Sequence, residues 1–114
     1  MIKPATYNVI AYQGATYTLN LTYSVDGTPV NLTGYSAAMQ VRETPSASTT
    51  VLSLVSGEQI TLGGANGTVA IEVSATAMAS AKAGSYQYDL ELNSGGQVTR
   101  LLQGKFAIEA EVTR

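Results

Sequence analysis

The sequence predicts an all-β domain, an antiparallel β-sandwich of seven to eight short strands with one short helix. Three observations carry this. Apolar and polar side chains alternate with period two along most of the 114 residues. Glycine-bearing turns interrupt the alternation at short intervals. Only the stretch near residues 75–82 has helical composition, so the crossovers that parallel strands need are missing. No composition shift or linker divides the chain, and residues 1–114 read as one domain.

The elements follow in order. Thr6 to Tyr12 is a weak first strand, closed by Gln13-Gly14. From Ala15 to Tyr23, Tyr17, Leu19, Leu21 and Tyr23 share one face, with Thr16, Thr18, Asn20 and Thr22 opposite. Asp26-Gly27 is a hairpin turn signal. Pro29 opens an irregular link to Gly34. Tyr35, Ala37, Met39 and Val41 then alternate with Ser36, Ala38, Gln40 and Arg42. Glu43 to Thr49 is a loop, because Pro45 removes a backbone donor among small hydroxyl residues. Short strands follow at Thr50 to Val55 and Gln59 to Leu62, then a glycine-dense turn over Gly63 to Gly67. Val69, Ile71 and Val73 face inward on the next strand.

Ser74 is placed to cap a helix built on Ala75, Ala77, Met78, Ala79 and Ala81, with Gly84 at the position of a C-terminal cap. Tyr86, Tyr88, Leu90 and Leu92 alternate with Gln87, Asp89, Glu91 and Asn93. Ser94-Gly95-Gly96 turns the chain into a last strand from about Gln97 to Val112. Gly104 marks a bulge there, with Phe106 and Ile108 inward and Lys105 and Glu109 outward.

The helix-to-strand passage narrows the architecture. In immunoglobulin-like sandwiches a tyrosine near the start of strand F bonds back to the corner that precedes it. Gly84, Tyr86 and Tyr88 have that arrangement, with Tyr88 at the place of the second cysteine of antibody domains. There is no cysteine, and the third strand offers Met39 or Ala37 where antibody domains carry a core tryptophan. The expected fold is therefore immunoglobulin-like without the disulfide and the tryptophan.

Composition removes most chemistries. With no His and no Cys, the usual general base, thiolate nucleophile and most transition-metal sites are absent. Only 12% of residues are charged, and six Lys and Arg face eight Asp and Glu. That balance makes no phosphate footprint, so nucleic acid is not an expected partner. No apolar run reaches the length of a membrane span, and Met1-Ile2-Lys3-Pro4 lacks the apolar core of a secretory signal.

The carboxylate pairs Asp89/Glu91 and Glu109/Glu111 lie two apart on strands and read as solvent-facing. Gly63 to Gly67 lacks the Lys-Ser/Thr ending of a phosphate loop. A Ser–Lys pair using Lys3, Lys82 or Lys105 is the one nucleophilic arrangement left, and no motif supports it. Catalytic, cofactor, metal and small-molecule sites are accordingly expected to be none. The contact candidates are Tyr7 and Tyr12, on residues 1–12 read as a contact arm or edge strand, and Pro45 in the loop.

Asp26-Gly27-Thr28-Pro29-Val30 followed by Leu32-Thr33-Gly34-Tyr35 resembles small virion structural proteins of tailed bacteriophages. The likeness is to the immunoglobulin-like N-terminal domain of siphophage baseplate upper proteins. Gln13-Gly14-Ala15-Thr16-Tyr17, Ala83 to Leu90 and Gly104-Lys105-Phe106 to Glu111-Val112-Thr113-Arg114 fit the same pattern. The baseplate proteins continue into a helical or fibre-binding region that this sequence lacks, which leaves its place in the virion open.

The resemblance implies a non-enzymatic virion protein that docks in multiple copies on the tail, baseplate or fibre-attachment region. Its partners would be other virion proteins and copies of itself, after assembly in the host cytoplasm. A capsid decoration protein is the alternative within that class. A carbohydrate-binding module using Tyr7 and Tyr12 is the alternative outside it.

Overall fold

A computed structural model describes residues 5–112. Lys3 and the rest of Met1 to Pro4, and the final Thr113-Arg114, lie outside the described residues. The strands are β1 (Ala5–Thr6), β2 (Val9–Tyr12), β3 (Tyr17–Thr22), β4 (Ser24–Val25), β5 (Thr28–Pro29), β6 (Ser36–Arg42), β7 (Leu52–Val55), β8 (Ile60–Leu62), β9 (Thr68–Val73), β10 (Gly84–Ser94) and β11 (Gln97–Glu109). The single α-helix among them, α1, spans Ala75–Ser80.

The strands form two main sheets. The larger runs β1-β11-β10-β6-β7, with β2 also on the free side of β11. The smaller runs β3-β9-β8, and β4-β5 is a separate hairpin. This is an immunoglobulin-like arrangement. β3, β9 and β8 stand as strands B, E and D, and β6, β10 and β11 as C, F and G. β1 and β2 join β11 in parallel, whereas the main pairings β10–β11, β10–β6 and β3–β9 are antiparallel.

Alternation places the core between the sheets. Met39, Val41, Leu90, Leu92 and Phe106 come from the larger sheet, and Ile60, Val69, Ile71 and Val73 from the smaller; all are almost completely buried. Leu32, in the link after β5, and Met78 of α1 close the ends. Where antibody domains carry a disulfide, an aromatic trio spans the sandwich. Tyr17 of β3 packs edge-on against Phe106 of β11, with centroids 5.6 Å apart. Phe106 in turn meets Tyr88 of β10 at 5.9 Å. The expected inward tyrosines thus differ in depth. Tyr86 and Tyr88 are buried, while Tyr17, Tyr23 and Tyr35 are only half-buried against the core.

The local signals explain most boundaries. Asp26 and Gly27 both have positive φ, 51° and 79°, which makes the β4–β5 connection a tight primed turn. The Ser74 side chain accepts from the Ala77 amide at 3.2 Å and caps α1.

Three expectations need correction. The first strand is broken at Tyr7-Asn8 into β1 and β2. The helix ends at Ala81, which is extended and buried, so Gly84 is no C-cap and instead starts β10. The bulge in β11 falls at Leu101, because Leu90 pairs with Leu102 and Glu91 with Arg100. Gly104 sits in regular register opposite Tyr88, and its lack of a side chain serves a different purpose.

Candidate interaction surface

That purpose is close approach. A Cβ built on Gly104 would collide with the backbone carbonyl oxygen of Tyr7 and lie 3.0 Å from Asn8 Oδ1. The bare backbone lets the β1–β2 junction press close against β11. Three bonds hold it there. The Tyr7 amide donates to the Gln103 carbonyl at 2.9 Å. The Lys105 amide donates to Asn8 Oδ1 at 3.1 Å. The Tyr88 hydroxyl, emerging from the core, donates to the Tyr7 carbonyl at 2.6 Å. Tyr88 therefore does two jobs, its ring packing on Phe106 and its hydroxyl latching the first strand.

Its neighbour Tyr86 bonds locally. The Tyr86 hydroxyl donates to the Lys82 carbonyl at 2.6 Å and ties the start of β10 to the turn after α1. A Cβ on Gly84 would stand 3.0 Å from that hydroxyl oxygen, so Gly84 leaves room for the ring. Gln13 makes a further clip. Its amide nitrogen donates to the Ala81 carbonyl at 3.0 Å, and its carbonyl oxygen accepts from the Glu111 amide at 3.1 Å. The segments that follow β2 and β11 are thereby fastened to the helix corner.

Burial shapes the phenols of this region. Removal from water pushes the Tyr17 hydroxyl up to about 12, with nearby Tyr7 adding to the shift. Tyr88 is raised in the same sense, by burial first and then by Tyr17 and Tyr7.

The fastened edge presents apolar side chains outward. On β2, Val9 and Ala11 are buried, while Ile10 is 60% and Tyr12 59% exposed. Tyr7 is exposed as well. Beside this edge, the outer face of the larger sheet forms an open concavity of about 910 Å³. Thr6 and Asn8 border it on one side, and Pro45 and Ala47 of the 43–49 loop line it too. The loop is held by Arg42, whose guanidinium donates to the Ala47 carbonyl at 2.6 Å. Arg100 lies between Asp89 at 3.4 Å and Glu91 at 3.9 Å. These carboxylates, read from the sequence as solvent-facing, are part-exposed and share one cation.

Among the sequence candidates, Tyr7 and Tyr88 come together through the Tyr7 carbonyl, and Pro45 lines a concavity that Tyr88 also reaches. Tyr12 stays at the far end of β2, away from the concavity. Lys82 and Lys105 are both exposed. Ile10, Gln13 and Gly104 were missed as site residues. The Val9–Tyr12 alternation carried a signal for Ile10, whereas nothing local marks Gln13 or Gly104. Among the described residues, no group of three or more His, Cys, Asp or Glu is placed to hold a metal ion. No helix there is long and apolar enough to cross a membrane.

No protein-family model matches the chain, and no curated protein matches it. Solved structures do. The N-terminal domain of phage TP901-1 ORF48 superposes with a TM-score of 0.58 at 14% identity, covering 94% of this chain and 90% of that one. At that identity the two share a fold.

Proposed function

We propose that this chain is a non-enzymatic structural protein of a bacteriophage virion. It docks in multiple copies on the tail, baseplate or fibre-attachment region, with other virion proteins and copies of itself as partners. The observation that carries this reading is the fold held in common, over nearly the whole of both chains, with a domain of a phage protein. The surface supports it. The apolar side chains of Ile10 and Tyr12 stand outward on an edge strand whose backbone is pinned by Tyr88, Asn8 and Gln13. A rigid, apolar, weakly charged edge suits docking by surface complementarity. Many copies in one particle would add modest contacts into stable attachment.

The test is incorporation into particles of the paired substitution Ile10→Lys and Tyr12→Lys. Both side chains point to solvent, so the isolated domain should keep its melting temperature. The expected result is a folded protein missing from purified virions. Normal incorporation would show that the β2 edge is not the docking surface. Absence of the unsubstituted protein from virions would remove the structural reading altogether. Copy number per virion then separates locations: a ring-sized number fits the tail or baseplate, and a number that scales with capsid area fits decoration.

A further inference from the structure

We propose that β3 is a second, independent contact, through which two copies of this chain pair edge to edge as antiparallel strands. In the immunoglobulin-like arrangement a strand A lies beside strand B in the smaller sheet. Here the two described strands that precede β3, β1 and β2, pair with β11 of the other sheet instead. The smaller sheet runs β3-β9-β8, and β3 has β9 as its one strand partner among the described residues. Its other edge is a row of backbone donors and acceptors six residues long.

Two features separate this edge from the others. Natural sheets protect exposed edges with charges, proline, bulges or short length. The other outer strands use some of these: β8 has three residues and β7 four, and β1–β2 is broken at Tyr7-Asn8. From Ala15 to Tyr23 there is no charge, proline, glycine or bulge. The core beneath is also incompletely covered. Tyr17, Leu19 and Leu21 of β3 are half-buried, while Val69, Ile71 and Val73 on the adjoining β9 are closed off from solvent. A strand added beside β3 would cover those side chains and satisfy the backbone in one step.

The occupant is a second copy because the edge complements itself. A two-fold axis perpendicular to the sheet sets β3 against β3 of the partner copy with faces preserved. Thr18, Asn20 and Thr22 then meet one another on the outer face, and Tyr17, Leu19 and Leu21 meet on the inner face. Neutral hydroxyl and amide pairs suit cross-strand contact, and no like charges oppose each other. The result is one continuous sheet of six strands across two copies. One strand pair is a small interface, below about 1,200 Å² in total, so free dimers should be weak and should form at high protein concentration.

Sedimentation of the full chain up to roughly 1 mM should show concentration-dependent dimers. The amides of β3 that point away from β9 should exchange more slowly as concentration rises. Asn20 is exposed and outward, so Asn20→Lys should keep the monomer folded, checked by its melting temperature. It brings like charges together across the axis and should weaken association by about tenfold or more. Mixing Asn20→Lys with Asn20→Glu should restore pairing that neither variant achieves alone. A chain that stays monomeric throughout, a dimer indifferent to Asn20→Lys, or a dimer abolished by Ile10→Lys would each overturn the proposal.

Discussion

Tyr88 shows how one side chain joins core and surface. Its ring belongs to the aromatic trio, and its hydroxyl holds the Tyr7 carbonyl. Tyr88→Phe removes the second role and keeps the first. It should cost about 1 kcal/mol, the usual net value of a hydrogen bond, and hydrogen exchange should quicken at the Tyr7 amide and along β1 and β2. Tyr86→Phe should cost a similar amount, with faster exchange confined to the turn at Lys82. Gly104→Ala attacks the same junction by steric means. Its new methyl group must push the Tyr7 backbone off β11, so the loss should exceed that of Tyr88→Phe. A milder effect of Gly104→Ala would mean that the β1–β2 junction yields easily. Tyr17 adds a pH dependence. Its folded pKa of about 12 lies above the ordinary 10.0, so the fold holds this proton more tightly than the unfolded chain does. Below the ordinary value both states are protonated, and Tyr17 gives stability no slope. Between about 10 and 12 the unfolded chain ionises first, and stability falls as pH rises. Denaturant titrations across that window should show the decline, and Tyr17→Phe should flatten part of it. Tyr88, raised in the same direction, adds to the decline.

Elements were legible wherever a local rule decides their ends. The β4–β5 hairpin follows from Asp26-Gly27, α1 begins where Ser74 can cap it, and Thr68–Val73 is bounded as its alternation indicates. Elements whose shape depends on a distant segment were not legible. Gly104 reads locally as a bulge, yet its function is set by Tyr7, nearly a hundred residues earlier in the chain. Gln13 reads as part of a turn, yet it bonds Ala81 and Glu111. The candidate surface was legible in the same partial way. Tyr7 and Tyr12 announce themselves as aromatic residues on a first strand, but the concavity between Asn8 and Pro45 exists only after sheet assembly. Two glycines make the local and distant cases separable. Gly27 and Gly67 both have positive φ, 79° and 70°. A Cβ on Gly27 meets open space, while one on Gly67 lies 2.7 Å from the Tyr23 carbonyl oxygen, where the hairpin base packs. Gly27→Ala should therefore cost only the conformational penalty, about 1 kcal/mol. Gly67→Ala should cost clearly more and should loosen the Tyr23–Val30 region in hydrogen exchange. Equal melting temperatures for the two variants would contradict the close approach at Gly67.

The molecule as a whole is short of charge, and that shortage bears on how it meets its partners. With 12% charged residues and a net charge of −2, long-range steering is weak. Both arginines that line the concavity are held by local partners. Arg100 faces Asp89 and Glu91, and Arg42 is spent on Ala47 and Gln40. The proposed contacts at Ile10, Tyr12 and the β3 edge are uncharged. Association through them is driven by apolar burial and backbone hydrogen bonds, which salt screens little. Retention of the protein on particles should then be unchanged, or slightly strengthened, as sodium chloride rises from about 0.1 to 1 M, where the screening length shrinks from about 10 to 3 Å. Self-association of the isolated chain should behave alike. A steep loss of retention over that range would move the docking surface to the charged concavity of Asp89, Glu91, Arg100 and Lys105. In that case Arg100→Ala, and not Ile10→Lys, would be the substitution that empties the particle. The salt series and the two variants together decide whether the β2 edge or the concavity, both on the outer face of the larger sheet, meets the particle.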